Sequence, residues 1–176
     1  MIICISGLTG SGKTTIGDML SKELNIRHVN RSFKEFAKEG KDLIKFQSDI
    51  IGKPKVDRDL DKEIGEEAHR EDCVVSTWLG PWMIKDSSLN VWLSTSVETR
   101  AKRKAKDMHC SVEEARAYLE PKDQENRDRW IKLYGIDIEK DRSVFDIDIN
   151  TDRVKKEEIV ALIAMLSLEK GKKKFR

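Results

Sequence analysis

Apolar residues gather in this chain as short runs separated by longer stretches of mixed, helix-like spacing. The first run, Ile2-Ile3-Cys4-Ile5, is unbroken and reads as a strand buried on both faces. Further runs follow at Ile26 to Val29, Cys73-Val74-Val75, Leu89 to Leu93 and Val144 to Ile149. Between the first two, Ile16, Met19, Leu20 and Leu24 recur on one helical face. Ile159, Leu162, Ile163 and Leu166 do the same in a last helix predicted from about Lys155 to Glu169. Strands alternating with helices predict a parallel sheet covered on both faces. Ligands of such sheets sit beyond the carboxyl ends of the strands, which directs attention to loops 30–34, 76–82, 94–100 and 150–153.

Two blocks break the alternation. Residues 32–70 carry charged helical stretches without a convincing strand, and residues 100–134 form a second polar, strand-free block. Within the second, Ser111-Val112-Glu113-Glu114 has the form of a capping box and starts a helix. Pro121 is expected to end that helix and open the next. The basic tail Lys170 to Arg176 is expected to be a frayed, solvated end. No internal repeat or dividing linker is visible, so the chain reads as one domain. Its core would comprise residues 1–30, 71–99 and 143–169, with one insertion at about 31–70, a second at about 100–134 and the tail at 170–176.

The turn after the first strand carries the most specific chemistry. Gly7-Leu8-Thr9-Gly10-Ser11-Gly12-Lys13-Thr14-Thr15 is a complete G-x-x-x-x-G-K-[ST] phosphate-binding loop, placed between a strand and a helix as its mechanism requires. Glycines let the backbone wrap closely around phosphate oxygens. The amides of residues 8–14 and the positive end of the following helix would face the anion. Lys13 adds a cation for the terminal phosphates, and the Thr14 hydroxyl is placed to ligate Mg²⁺. ATP and Mg²⁺ are therefore the expected cofactors. Transfer of a phosphoryl group must exclude water, and two helical insertions flanking the loop are suited to close over it.

Charge and composition narrow the picture further. Charged residues make up 38% of the 176, yet the formal net charge is only +2. Such balance argues against a dedicated nucleic-acid binder. The three cysteines show no metal or disulfide spacing; Cys4 and Cys73 read as core thiols and Cys110 as a loop thiol. No run is long enough to span a membrane, and a signal peptide is not expected before a loop this close to Met1. A cytoplasmic monomer is the expectation.

Several basic positions could grip a second phosphate. Lys34 follows the second strand on the ligand side. Asp57 and Asp61 lie four apart on one helical face beside Arg58, a set that could read a base edge or form an exposed intrahelical salt-bridge cluster. Arg100 and Arg103 lie three apart after the fourth strand, and Arg127 and Arg129 on a later helix; arginines converging on a γ-phosphate would stabilise its transition state. Lys102, Lys104 and Lys106 leave open the reading that the whole helix is simply basic. No general base is evident, and the third strand runs into Ser76-Thr77 and not an acidic residue, so the usual second Mg²⁺ carboxylate is missing there. A hydroxyl acceptor benefits from a base, whereas a nucleoside monophosphate attacks with an oxygen already ionised.

With these residues in view, the chain resembles the archaeal cytidylate kinases among the nucleoside monophosphate kinases, from Met1 to about Met165. The resemblance rests on the phosphate loop, Phe33-Lys34-Glu35-Phe36-Ala37, Val56-Asp57-Arg58, Leu79 with Trp82-Met83, Val91-Trp92-Leu93, and Arg100 with Arg103. It continues through Ser111 to Ala115, Arg129-Trp130, Tyr134-Gly135-Ile136-Asp137 and Ile149-Asn150-Thr151. It implies a P-loop NTPase three-layer α/β fold: a five-stranded parallel sheet with a monophosphate-binding insertion and a lid. It also implies ATP at residues 7–15, CMP or dCMP as acceptor held by Lys34, cytosine recognition by Asp57 and Arg58, and lid or transition-state roles for Arg100, Arg103, Arg127 and Arg129. Two departures fall on the acceptor side. Ser76-Thr77-Trp78 stands where the family reads Glu-Gly-Arg, and His28-Val29-Asn30 where it reads Ser-x-Gly, with Arg31 nearby. Trp78 and Trp82 could stack on a base or pack under the insertion. Alternatives consistent with the departures are a phosphoryl transferase with another acceptor and a nucleotide-binding assembly factor.

Overall fold

The computed structural model of the chain describes residues 1–30 and 54–173. Strand β1 (Ile2–Gly7) is wholly buried and lies at the centre of a five-stranded sheet. The other strands are β2 (Arg27–Val29), β3 (Cys73–Ser76), β4 (Leu89–Ser94) and β5 (Ile147–Asn150), in the order β2-β3-β1-β4-β5. Every pairing is parallel, with Ile3 opposite Val74 on one side and Leu89 on the other. An all-parallel sheet needs helices on both faces, because each crossover lays one there.

Alternation along β1 assigns those faces. Ile3 and Ile5 pack with Ile16 and Leu20 of α1 (Lys13–Leu24) and with Ile159 and Ile163 of α6 (Lys156–Lys173). Ile2 and Cys4 point the other way, to Leu60, Ile64 and Ala68 of α2 (Pro54–Ala68) and to Ile84 after the short α3 (Gly80–Met83). Helices α4 (Val97–Met108) and α5 (Val112–Tyr134) form a hairpin closed by Ala101, Ala105, Ala115 and Leu119. The three-layer α/β fold and five-stranded parallel sheet expected from the sequence are thus present.

Three local expectations are corrected. Pro121 does not end a helix, since α5 runs through it without interruption. Pro121 and Ala117 are both exposed, so the carbonyl that loses its partner to the imino ring meets water instead. The capping box that starts α5 is as expected: Glu114 N donates to Ser111 Oγ at 3.1 Å, and Ser111 N to Glu114 Oε2 at 2.8 Å. The final helix continues to Lys173, so the tail begins as helix and not as a frayed end. The last strand starts at Ile147, because Arg142–Val144 forms a 3-10 turn whose Val144 carbonyl accepts from Asn90 Nδ2.

Helix α1 approaches the sheet most tightly at Gly17. A Cβ there would lie 2.2 Å from Ser76 Oγ and 2.4 Å from His28 Nε2. Gly65 on α2 has nothing within 4 Å of the same position. Gly17→Ala should therefore cost about 1–3 kcal/mol by overpacking, lowering Tm by about 2–12 °C. Gly65→Ala should raise stability by about 0.5–1 kcal/mol through helix propensity, and calorimetry on both variants would check the pair.

Candidate active site

The loop between β1 and α1 is held in shape by glycines with separate tasks. At Gly7 a Cβ would lie 2.5 Å from Ser11 Oγ and 2.7 Å from the Leu93 carbonyl, so any side chain would force the loop off β4. Gly12 caps α1 with φ of 102°, a left-handed value that L side chains rarely adopt. The loop so shaped exposes the start of a twelve-residue helix, where aligned peptide dipoles favour an anion. Ser11 Oγ is buried inside it without a protein partner.

Lys13 folds over its own loop. Its Nζ donates to the carbonyls of Gly7 at 2.7 Å and Leu8 at 3.0 Å, and lies 4.6 Å from the centre of the Trp78 ring. Burial pushes the ammonium down to about 7; the Asp123 carboxylate opposes that shift and Arg100 adds to it. The Lys13 carbonyl accepts from Ser76 Oγ at 3.1 Å, and Ser76 Oγ is also bonded to His28 Nε2 at 2.9 Å. Ser76 thus ties β3 to the first turn of α1. Thr14 and Thr15 are exposed on that turn. Among the described residues no cluster of three or more His, Cys, Asp and Glu could hold a metal by itself. The donor set fits Mg²⁺ that is carried on nucleotide phosphates and ligated by Thr14.

The arginines separate into two groups. Arg100 is buried; its Nη1 donates to the Thr9 carbonyl at 3.2 Å and pairs with Asp123 Oδ2 at 2.5 Å. Arg103 donates to the carbonyls of Gly10 at 3.3 Å, Ser11 at 3.2 Å and Thr151 at 3.0 Å. Both come from α4 and face the phosphate loop, whereas Lys102 and Lys106 on the same helix are exposed. Beside Arg103, a cavity of about 170 Å³ opens between Gly12, Thr15, Ile16, Thr151 and Val154.

Arg127 and Arg129 do not converge on that loop. Arg127 is held by a bidentate bond to Asp137, at 3.0 and 2.7 Å, and by Glu139 at 2.6 Å. Those bonds explain the position of Asp137 in the Tyr134-to-Asp137 signature: it secures the turn after α5. Arg129 lies 3.8 Å from Asp57, linking α5 to α2. Asp57 is buried, and burial raises its carboxyl pKa while Arg129 opposes the rise. One helical turn on, Tyr134 donates to Asp61 Oδ2 at 2.6 Å. Arg58 and Asp61 line a larger open cavity of about 620 Å³, together with Lys62, Met83 and Tyr134. Trp78, whose face meets Lys13, packs tilted against Trp130 with ring centroids 4.7 Å apart. Trp82 packs edge-on against Phe145. Lys34 lies outside the described residues, as does the insertion up to residue 53.

Asp123 is the site residue that sequence reading passed over. It is one acid among many on a polar helix, and only the packing of α5 on α4 reveals its burial against Arg100. Thr151 was noted only as part of a signature; it is buried and bonded to both Arg103 and Thr95.

A glycine loop after the central strand, its lysine, and arginines closing from a helical hairpin define a P-loop phosphotransferase. Residues 45–153 match the cytidylate kinase-like family. The cytidylate kinase of Thermococcus kodakarensis is 40% identical over 86% of this chain and 79% of its own length. That of Pyrococcus horikoshii is 36% identical over 93% of this chain and 86% of its own. A shikimate kinase from Acinetobacter baumannii shares the fold at a TM-score of 0.62 and 21% identity, covering 96% of this chain and 93% of that one. The chain belongs to the cytidylate kinase-like family. Among the described residues, no helix is long and apolar enough to cross a membrane.

The two groups of arginines should separate by substitution. Arg100→Lys is expected to weaken binding of a nonhydrolysable ATP analogue and to slow turnover. Arg127→Lys should lower Tm and affect turnover much less, which steady-state kinetics with thermal melts would check.

Proposed function

We propose that the chain transfers the γ-phosphoryl group of Mg-ATP to CMP, and to dCMP, giving ADP and CDP or dCDP in the cytoplasm. The observation that carries this reading is the pairing of two features: a phosphate loop with Lys13, Arg100 and Arg103 at its mouth, and a second cavity lined by Arg58 and Asp61. In this reading the triphosphate lies along residues 7–15, with Lys13 moving from its own carbonyls onto the β- and γ-phosphates. Thr14 would ligate the Mg²⁺ brought with the nucleotide, which would supply charge neutralisation at the phosphates. Arg100 and Arg103, already aimed at the loop, meet the charge that spreads over the γ-phosphoryl oxygens.

The acceptor oxygen of CMP is ionised at neutral pH, so no general base is required. This fits a third strand that ends in Ser76 and not in a carboxylate. Asp57, Arg58 and Asp61 read the cytosine edge, with carboxylate accepting from the exocyclic amine and guanidinium donating to the ring acceptors. Lys34 grips the acceptor phosphate, in place of the arginine that Trp78 replaces. Arg129 closes α5 onto α2 through Asp57, and Arg127 keeps the end of α5 in position. A different acceptor or a non-catalytic assembly role is not favoured, since the curated relatives at 40% and 36% identity are named cytidylate kinases.

ADP release should be stimulated by CMP and dCMP well above UMP, AMP and GMP in a coupled assay. Absence of stimulation by any monophosphate would remove the assignment. Lys13→Ala should cost about 10³-fold or more in turnover with the fold retained. A depressed ammonium also has a calorimetric signature. Free Lys13 titrates near 7, and a bound triphosphate raises that value, so nucleotide binding should take up protons above neutral pH. Titrations in buffers of different ionisation enthalpy should show that uptake in the native protein and its loss in Lys13→Ala.

A further inference from the structure

We infer that Tyr134 is a positioning residue for acceptor-base selection: its hydroxyl holds Asp61 as a carboxylate that accepts from an amine at the 4-position of a pyrimidine. The inference rests on the reading that Asp61 faces the acceptor base. Tyr134 sits at the end of α5 and Asp61 on α2, yet the phenol donates to Asp61 Oδ2 at 2.6 Å. Both side chains line the cavity of about 620 Å³ that Arg58 also lines. With Oδ2 satisfied from α5, Oδ1 is the remaining acceptor of the pair.

The protonation state of Asp61 decides which base it can pair with. A carboxylate only accepts, and so suits the exocyclic amine of cytosine. A protonated carboxyl donates, and so suits the carbonyl that uracil carries at the same position. Burial pushes Asp61 up to about 6; the Tyr134 bond pulls it back, and the neighbouring Asp57 raises it. Without the phenol, Asp61 would take up its proton at a higher pH than in the native protein. Tyr134 itself is pushed well above the usual tyrosine range by burial and by Asp61, so it remains a donor throughout. The other charged groups around this pair are Arg58, Lys62, Glu66 and His69 on the α2 side, and Arg129 acting through Asp57. Met83 is the cavity-lining contribution from α3.

The test compares kcat/KM for CMP and UMP from about pH 5.5 to about pH 9 in the native protein, Tyr134→Phe and Asp61→Asn. Taking the CMP/UMP ratio cancels titration of the acceptor phosphate, which is common to both. In the native protein the ratio should fall as pH drops through about 6. In Tyr134→Phe that fall should move to higher pH, lowering the ratio several-fold (about threefold near the midpoint for each pH unit moved) between about pH 6 and pH 7, with the native ratio recovered at alkaline pH. Asp61→Asn should lose the preference at every pH. A Tyr134→Phe variant that slows both acceptors equally at all pH, while Asp61→Asn alters the ratio, would overturn the role of Tyr134 alone. An unaltered ratio in Asp61→Asn would overturn base reading by Asp61 as well. A native ratio flat across the range would overturn the inference even if Tyr134→Phe failed to fold.

Discussion

A lysine ammonium buried at the mouth of a glycine loop is the constraint around which the rest of this structure is organised. A cation withdrawn from water must find oxygen or π-electron partners, or lose its proton. Lys13 meets that demand with two carbonyls of its own loop and the face of Trp78. The first of those carbonyls belongs to Gly7, where the chain approaches β4 too closely for a side chain. The helix that carries Lys13 is fixed in turn by Ser76 and His28 from the neighbouring strands. An anion at the loop relieves the same deficit, which gives the resting arrangement and phosphate binding a single physical cause.

The arginines show how one residue type serves two purposes. Arg100 and Arg103 donate to backbone carbonyls of the phosphate loop and so stand beside any ligand in it. Arg127 is paired with Asp137 and Glu139, which ties it to the turn after α5. Trp78, where relatives of the family are expected to carry arginine, packs against Trp130 and offers its face to Lys13.

Much of this was legible in the sequence because it depends on short-range pattern. The five runs of apolar residues specify a parallel sheet through their alternation with helices, and the loop from Gly7 to Thr15 is defined by chain-local geometry. Pro121 misled because helix termination is a bias that solvent can relieve on an exposed face. The start of β5 at Ile147 depends on a hydrogen bond between Asn90 and Val144, which no local pattern announces. Asp123 escaped notice for a similar reason: it gains significance from meeting Arg100 across a helical hairpin, twenty-three positions away. Arg127 and Arg129 read alike by spacing, and only the partners supplied by the turn after α5 and by α2 distinguish them.

The unbroken course of α5 through Pro121 has a mechanical corollary. Asp123 near the loop lysine and Tyr134 at the larger cavity ride on one rod, separated by about 16 Å of helix at 1.5 Å per residue. Tilting the rod to make room at one end must tip the other. The surroundings of the loop lysine and the larger cavity therefore share a common lever arm.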